Sequence, residues 1–286
     1  MKLGIDEKNE LCNIAKEAAI KAGTIIQKAT KESFQVKKKV GGENIASQVV
    51  TEIDLEAQET ILRVLKDSQE KYDIGLLAEE SNDNGSRFEK DYFWCIDPLD
   101  GTLAFSRDEE GYSVSIALIS KEGIPTIGVV YNPREDVLYS AIEGKGAFRN
   151  KDSFKVKNKN DFLTLLYDQS FLKIKNYEEE IENLEVLAKE LGLKGVKNHH
   201  LGGAVMNGIC TIELSPAVYY KHPKKALGGG SIWDFAASSV IQSEAGGLNS
   251  NFYGKPLDLN RADSTFMNHE GVFYRSHDGL KIKSMP

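Results

Sequence analysis

Apolar residues recur at helical spacing near the start of the chain. In residues 11–29 they occupy positions 14, 15, 18, 19, 22, 25 and 26, which form one face of an α-helix. Residues 51–65 carry a similar pattern and predict a second helix. Between them, residues 35–40 alternate weakly and end at Gly41-Gly42, which indicates a flexible break.

The middle of the chain changes to the shorter period of strands. Its apolar runs are separated by turns containing Gly or Pro, a pattern typical of a largely antiparallel sheet. They cover residues 74–78, 93–96, 113–120, 126–131 and 137–142. After these, strand patterns at 163–167 and 217–220 alternate with helical patterns at 178–191, 204–211 and 233–245. The mixture predicts an α/β fold in which helices and sheets form layers.

A polar, lysine-rich segment at residues 151–161 interrupts these patterns. It predicts a boundary between two halves of the molecule. Residues 1–155 would form an N-terminal α+β half with metal-site motifs, and residues 156–286 a C-terminal α/β half that contributes Asp234 and a lysine-rich substrate loop.

Composition narrows the class of protein. The 286 residues are 41% hydrophobic, enough for a sizeable core, and the net charge of −7 disfavours nucleic acid polymers and anionic membranes as partners. No apolar run approaches the roughly 18 residues of a membrane span, and the first residues turn acidic too early for a signal peptide. The three cysteines lie far apart without a C-x-x-C pair, so we expect buried thiols and a cytoplasmic protein.

Residues 94–102 are the most informative stretch. An apolar run ends in Asp97 and Asp100, with Pro98 restricting the turn between them. Carboxylates at the end of a strand can share divalent cations. Gly101 lets the backbone approach a ligand, and the amides of Gly101 and Thr102 could open a helix and receive an anion. Cations beside an anion pocket suggest phosphate chemistry, whereas a plain Asp-, Pro- and Gly-rich turn is the alternative.

Acidic residues stand at three further element boundaries. Asp54 lies near the start of the second predicted helix, Glu79-Glu80 follow a strand, and Asp234 lies near the start of a later helix. Carboxylates there can face a cleft and hold Mg²⁺, which takes oxygen ligands. The alternatives are helix caps for the two aspartates and surface charges for the two glutamates.

The chain resembles the inositol monophosphatase superfamily of lithium-sensitive, magnesium-dependent phosphatases. The resemblance rests on residues 97–102, on Glu79-Glu80-Ser81, and on Trp233-Asp234 followed by Glu244-Ala245-Gly246-Gly247. It covers about residues 10–275 in the order found in the family. It implies a layered α/β/α/β/α sandwich with mixed, largely antiparallel sheets, and it makes a homodimer possible.

The resemblance also implies roles for single residues. Two or three Mg²⁺ ions would be held by Glu79, Asp97, the carbonyl of Leu99, Asp100 and Asp234. Glu79 and Thr102 would orient the attacking water, with Asp54 behind them. Asp100, Gly101 and Thr102 would also contact the substrate. The backbone amides of Gly101 and Thr102 would bind its phosphate group. The predicted reaction is hydrolysis of a small anionic phosphate ester by water activated between two metals.

Departures from the family pattern bear on the substrate. Leu103-Ala104 matches neither the inositol phosphatases nor the bisphosphate nucleotidases, and the loop at 221–230 lacks the glutamate by which inositol phosphatases hold inositol. Residues 255–258 and 266–269 look more like the 3′(2′),5′-bisphosphate nucleotidase branch. We therefore favour such a nucleotide modestly over inositol 1-phosphate. Two further interpretations are a sugar-bisphosphate phosphatase and a non-catalytic relative that binds a phosphorylated ligand.

Two groups of lysines are candidates for phosphate contacts. Lys221, Lys224 and Lys225 could attract a second phosphate, or could be a solvated run of charge. Residues 37–39, all lysine, precede the glycine break, and phosphate contact and simple exposure are equally supported there.

Overall fold

The computed structural model describes residues 2–37, 43–157 and 160–282. Lys38, Lys39 and Gly41-Gly42 lie outside the described residues, as does the side chain of Lys37. The described part contains seven α-helices: α1 Ile5–Lys37, α2 Glu43–Tyr72, α3 Ser86–Glu89, α4 Thr102–Arg107, α5 Tyr177–Glu190, α6 Ala204–Glu213 and α7 Ile232–Glu244. None of these helices combines the length and hydropathy needed to cross a bilayer.

The first sheet has seven strands in the order of the chain, and only its first pair, β1–β2, is parallel. Its strands are β1 Gly75–Ala78, β2 Tyr92–Asp100, β3 Ser113–Ser120, β4 Pro125–Asn132, β5 Val137–Ile142, β6 Ala147–Arg149 and β7 Asp152–Phe154. Residues 113–120 and 137–142 form strands with the predicted limits, and the predicted antiparallel meander is confirmed.

The second sheet has five strands in the order β11-β12-β10-β8-β9. They are β8 Leu163–Tyr167, β9 Val196–His200, β10 Ala217–Lys221, β11 Leu248–Ser250 and β12 Val272–Arg275. The pairs β8–β9 and β8–β10 are parallel, whereas β12 runs antiparallel to both of its neighbours. The sheet is therefore mixed, as predicted.

The helices and sheets form five layers. Helices α1 and α2 pack on the outer face of the first sheet, α6 and α7 lie between the two sheets, and α5 covers β9 on the far side. Along β2, Trp94 and Ile96 face the outer core, whereas Phe93 and Cys95 face the core between the sheets. Both faces of this strand are buried, and the α/β/α/β/α sandwich is confirmed.

Two predicted elements differ from the structure. Helix α1 begins at Ile5 and continues through Lys37, whereas the prediction covered residues 11–29. Helix α2 begins at Glu43, well before the predicted start at residue 51. Hydrophobic periodicity marks a helix only where apolar residues recur regularly, so it gives the minimum extent of a helix and not its limits.

Candidate active site

Three aspartates from distant parts of the sequence meet between the sheets. Asp97 and Asp100 belong to β2, and Asp234 lies in the first turn of α7. Carboxylate oxygens from all three lie within 4.8 Å of one another. Asp97 and Asp100 are buried, and Asp234 is partly buried.

A β-bulge explains how Asp97 and Asp100 come to face the same side. Residues three apart on a regular strand point to opposite faces. Here Asp97 pairs with Ser115 and Asp100 with Ser113, so β2 carries one more residue than β3 across this interval. The extra residue turns Asp100 back to the face of Asp97, which is the face covered by α6 and α7.

Asp100 is fixed by the start of α6. Its Oδ1 accepts a hydrogen bond from Ala204 N at 3.1 Å, and its Oδ2 accepts one from Val205 N at 2.9 Å. A Cβ atom at Gly203 would lie 2.2 Å from Asp100 Oδ2, so only glycine fits there. The sequence analysis did not identify this contact, although Gly202-Gly203 before a helical pattern was its signal.

Asp234 is held by a capping box. The backbone nitrogen of Ser231 donates to Asp234 Oδ2 at 2.6 Å, and the Ser231 side chain accepts from the third residue of α7. Gly230 precedes this cap with φ of +92°, and a Cβ there would lie 2.8 Å from Asp234 Oδ2. The N-cap of α7 is therefore Ser231 and not Asp234, which is the third residue of the helix and completes the capping box from within the carboxylate cluster.

Glu79 and Asp54 extend the acidic group at its outer edge. Glu79 is exposed just after β1, with its carboxyl group in hydrogen-bonding reach of Asp97. Asp54 is buried in the middle of α2, so the helix-cap alternative for this residue is wrong. Its Oδ1 has no hydrogen-bond partner among the described residues, and the charges of Glu79 and Glu80 act on it.

A glutamine on α2 holds the turn that carries Glu79. Gln58 Oε1 accepts from Glu80 N at 2.9 Å, and its Nε2 donates to Ser81 Oγ at 2.7 Å. Gln58 lies one helical turn after Asp54, so both side chains face this turn. Sequence reasoning missed Gln58, because nothing in its neighbourhood distinguishes it from other helical polar residues.

The carboxylates destabilise one another's charged forms. Burial, followed by the charges of neighbouring carboxylates, raises the pKa values of Asp97 and Asp100 well above their usual range. Although Glu79 as a whole residue is exposed, the loss of water around its carboxyl group raises its pKa to about 7, and burial raises the pKa of Asp54 to about 8. In the described ranges no lysine or arginine forms an ion pair with Asp97, Asp100 or Asp234. Negative charge is thus concentrated without a matching side-chain cation.

Thr102 and Gly101 lie directly beside the cluster. Thr102 Oγ1 donates to the carbonyl oxygen of Leu99 at 3.0 Å, and Leu99 N donates to Asp97 Oδ1 at 3.0 Å. Gly101 has φ of +79°, and the first intrahelical hydrogen bond of α4 runs from Phe105 N to Gly101 O. The amide of Thr102 is therefore not used by the helix.

The lysine that ends β10 and the lysines of the loop that follows differ in their surroundings. Lys221 is largely buried and forms an ion pair with Asp168, with 2.6 Å between Lys221 Nζ and Asp168 Oδ2. Strands β8 and β10 pair in parallel with Leu166 opposite Tyr219, so Asp168 and Lys221 follow at the same edge. Lys224 and Lys225 are exposed. Sequence reasoning treated Lys221 as a free cation and missed its partner, Asp168.

The arrangement fits a divalent cation. Hard cations such as Mg²⁺ prefer oxygen ligands, and three carboxylates that repel one another supply them. The unpartnered oxygen of buried Asp54 adds to the excess of negative charge. A bound cation would offset the repulsion that raises these pKa values.

The layered fold and the carboxylate cluster match a class of phosphatases that hydrolyse phosphomonoesters and are generally metal-dependent. The chain belongs to the inositol monophosphatase family, whose model matches residues 7–280. The predicted family membership and phosphoric monoester hydrolase class are therefore confirmed.

Individual relatives show the breadth of the family. An inositol-1-monophosphatase from Synechocystis is 32% identical over 246 residues, which covers 86% of this chain and 80% of the relative. The Nus factor SuhB of Pasteurella multocida is 30% identical over 258 residues and covers 86% of each chain. The solved inositol monophosphatase from Anabaena superposes with a TM-score of 0.68 at 25% identity, covering 94% of this chain and 91% of its own.

Proposed function

We propose that this protein is a Mg²⁺-dependent phosphomonoesterase that hydrolyses a small anionic phosphate ester by direct attack of water. The observation that carries the proposal is the carboxylate cluster of Asp97, Asp100 and Asp234, gathered within 4.8 Å and lacking a side-chain counter-ion in the described residues. Buried carboxylates without a counter-ion destabilise the folded protein, and bound cations would offset this destabilisation.

The residues around the cluster divide into ligands and helpers. Glu79, Asp97, Asp100, Asp234 and the carbonyl oxygen of Leu99 would hold the metal ions. When bound, Mg²⁺ neutralises charge on the phosphoryl group and makes a water molecule more acidic.

The protein's own groups then position the reactants. The Thr102 hydroxyl and the Glu79 carboxylate orient the attacking water, and Glu79 accepts its proton. Asp54 lies behind Glu79, and burial together with the charges of Glu80 and Glu79 raises the pKa of Asp54 to about 8, so that Asp54 acts as a neutral neighbour of the water-positioning group. The amides of Gly101 and Thr102 bind the phosphoryl oxygens. The water oxygen bonds to phosphorus as the bond between phosphorus and the ester oxygen breaks. The ester oxygen takes up a proton from solvent and leaves as the alcohol, so no covalent phosphoenzyme is required.

For the substrate, we propose a 3′(2′),5′-bisphosphate nucleotide such as adenosine 3′,5′-bisphosphate. Residues 266–269 resemble the bisphosphate nucleotidase branch, and within this segment Asn268 forms hydrogen bonds with the lysine loop. Its side chain donates to the carbonyl oxygens of Lys224 and Ala226, and its carbonyl accepts from Lys224 N. It thereby shapes the lysine loop beside the cluster.

Inositol 1-phosphate is the second candidate. It is favoured by the 32% identity to a protein named inositol-1-monophosphatase. The residue pattern at Leu103-Ala104 gives no preference between the two.

The test is release of inorganic phosphate from adenosine 3′,5′-bisphosphate, inositol 1-phosphate and fructose 1,6-bisphosphate, each with Mg²⁺, with EDTA, and with Mg²⁺ plus lithium. We expect Mg²⁺-dependent turnover that is fastest on the nucleotide. Faster turnover of inositol 1-phosphate would overturn the substrate ranking. Turnover of none of the three in the presence of Mg²⁺ would contradict the proposed activity.

A further inference from the structure

A cavity of about 430 Å³ opens at the edge of the second sheet, where β8 and β10 end. Four lysines contribute to its lining, Lys173 and Lys175 from one side and Lys221 and Lys224 from the other. The chain as a whole carries a net charge of −7, so four lysines around one cavity are a local reversal of its charge. We call this the lysine cavity.

Most of this positive charge is uncompensated. Asp168, the acidic residue of the lining, is paired with Lys221, and it also accepts hydrogen bonds from Ser170. Lys221 lowers the pKa of Asp168 through its charge and hydrogen bond, although burial acts in the opposite direction. For Lys173, Lys175 and Lys224, no ion pair with a carboxylate exists within the described ranges.

The lysine cavity is close to the carboxylate cluster. Gly229 lies in its wall, and the next residue, Gly230, contacts Asp234, since a Cβ there would lie 2.8 Å from Asp234 Oδ2. Tyr219 lines the cavity as well, and its hydroxyl lies 3.4 Å from Asp168 Oδ2. The charges of both Lys221 and Asp168 act on Asp234. One substrate molecule could therefore occupy the cluster and the cavity together.

We infer that the lysine cavity binds a second anionic group of the substrate, either a phosphate or a carboxylate. The phosphate ester that is hydrolysed lies at the carboxylate cluster, and the second anion lies among Lys173, Lys175 and Lys224. This inference rests on the proposed function, and it applies whether the group between the two anions is a nucleoside, a sugar or a smaller carbon chain. Lysine ammonium groups bind such anions as point charges without demanding one geometry.

The experiment compares matched substrates that differ only in the second anion. The phosphate pairs are adenosine 3′,5′-bisphosphate with adenosine 3′-phosphate, and fructose 1,6-bisphosphate with fructose 1-phosphate. The carboxylate pair is 2-phosphoglycerate with glycerol 2-phosphate. For wild type, we expect the doubly anionic member of at least one pair to have a kcat/KM about tenfold higher or more, mainly through a lower KM.

The variant Lys173→Gln/Lys175→Gln tests the assignment to the lysine cavity. We expect the preference for the substrate with two anionic groups to fall about tenfold. The KM for that substrate should rise, while its kcat stays near the wild-type value. The control Lys189→Gln/Lys281→Gln removes two exposed lysines outside the cavity and should keep the wild-type preference. Thermal unfolding of both variants shows that the fold is retained.

The outcomes separate this inference from the proposed function. Preference for the bisphosphates identifies the second anion as phosphate, and preference for 2-phosphoglycerate identifies it as carboxylate. Equal kcat/KM within every pair, or an unchanged preference in Lys173→Gln/Lys175→Gln, overturns the inference while leaving the phosphatase activity in place. Failure to release phosphate from any of the six compounds instead removes the proposed function.

Discussion

The carboxylate of Asp100 accepts a hydrogen bond from the backbone amide of Val205, with 2.9 Å between Asp100 Oδ2 and the nitrogen. The bond joins a strand of the first sheet to the start of a helix that packs on the second. It fixes the direction of the carboxylate before any ligand arrives. Each carboxylate oxygen has two lone pairs, so Asp100 can cap α6 and still bind a cation.

Replacing Asp97 tests the metal assignment with little change of shape. In Asp97→Asn we expect activity to fall at least about 100-fold, because one charge at the centre of the cluster is lost. The fold should persist, since an asparagine Oδ1 can still accept the hydrogen bond from Leu99 N. Phosphate release and thermal unfolding with and without Mg²⁺ measure the two effects.

The stability of Asp97→Asn in EDTA distinguishes a metal ligand from a structural residue. We expect it to match wild type or exceed it by about 1 kcal/mol, because a side chain that cannot ionise avoids both the cost of burying a charge and the repulsion from neighbouring carboxylates, the two causes that raise the pKa of Asp97. Mg²⁺ should raise its unfolding temperature less than that of wild type. A variant that loses its fold in EDTA, or keeps wild-type turnover, contradicts the assignment.

The raised pKa values predict how stability depends on pH without metal. The folded protein retains protons on Asp97, Asp100, Glu79 and Asp54 at pH values where the unfolded chain has released them. This contribution to stability is complete below about pH 4 and is lost as the pH rises through each folded-state pKa, about 7 for Glu79 and about 8 for Asp54. The free energy of unfolding should fall by at most about 1.4 kcal/mol per pH unit for each retained proton, and by less for Glu79, which is exposed.

Urea unfolding in EDTA between pH 5 and about 8.5 checks this direction. Mg²⁺ competes with protons for the same oxygens, so its stabilising effect should grow over the same range. Stability in EDTA that rises steadily with pH would show that these carboxyl groups are not held protonated by the fold.

Alanine substitutions at Gly230 and Gly228 distinguish the effect of backbone strain from the effect of crowding at Asp234. Both have positive φ, +92° and +99°, so alanine is strained at either position by roughly 1–3 kcal/mol. At Gly230 the new Cβ would also lie 2.5 Å from Phe235 and 2.8 Å from Asp234 Oδ2, whereas at Gly228 the nearest atom is 3.7 Å away. We expect Gly230→Ala to lose far more kcat than Gly228→Ala, measured beside the unfolding temperature of each. Equal losses of activity would contradict a positioning role for Gly230.

The sequence predicted the members of the cluster but not its assembly. Residue type and spacing singled out Asp97, Asp100 and Asp234, and resemblance to a family implied that they meet. The bulge that turns Asp100 to the face of Asp97 depends on the pairing of β2 with β3, which periodicity along one strand does not report.

The ion pair of Asp168 with Lys221 also depends on strand pairing that the sequence pattern does not report. Strands were predicted at 163–167 and 217–220, yet their pairing in parallel is set by packing across the sheet. Once Leu166 lies opposite Tyr219, the residues that follow meet at one edge. A lysine that looked free in the sequence therefore has a partner. In the lysine cavity, the cations without an ion-pair partner among the described residues are Lys173, Lys175 and Lys224.

Thr102 offers a test of the water-positioning step that leaves the carboxylates unchanged. Thr102→Val keeps the shape but removes the hydroxyl that donates to the Leu99 carbonyl at 3.0 Å. We expect kcat to fall about 100-fold, because the attacking water loses one of its two proposed contacts. Loss of the hydrogen bond itself should cost only about 1 kcal/mol of stability. Thr102→Ser restores the hydroxyl and should keep kcat within about tenfold of wild type. Initial rates of phosphate release and thermal unfolding of the two variants distinguish a water-positioning hydroxyl from a structural one. If the hydroxyl is only structural, Thr102→Val unfolds at a lower temperature but keeps a kcat near that of Thr102→Ser.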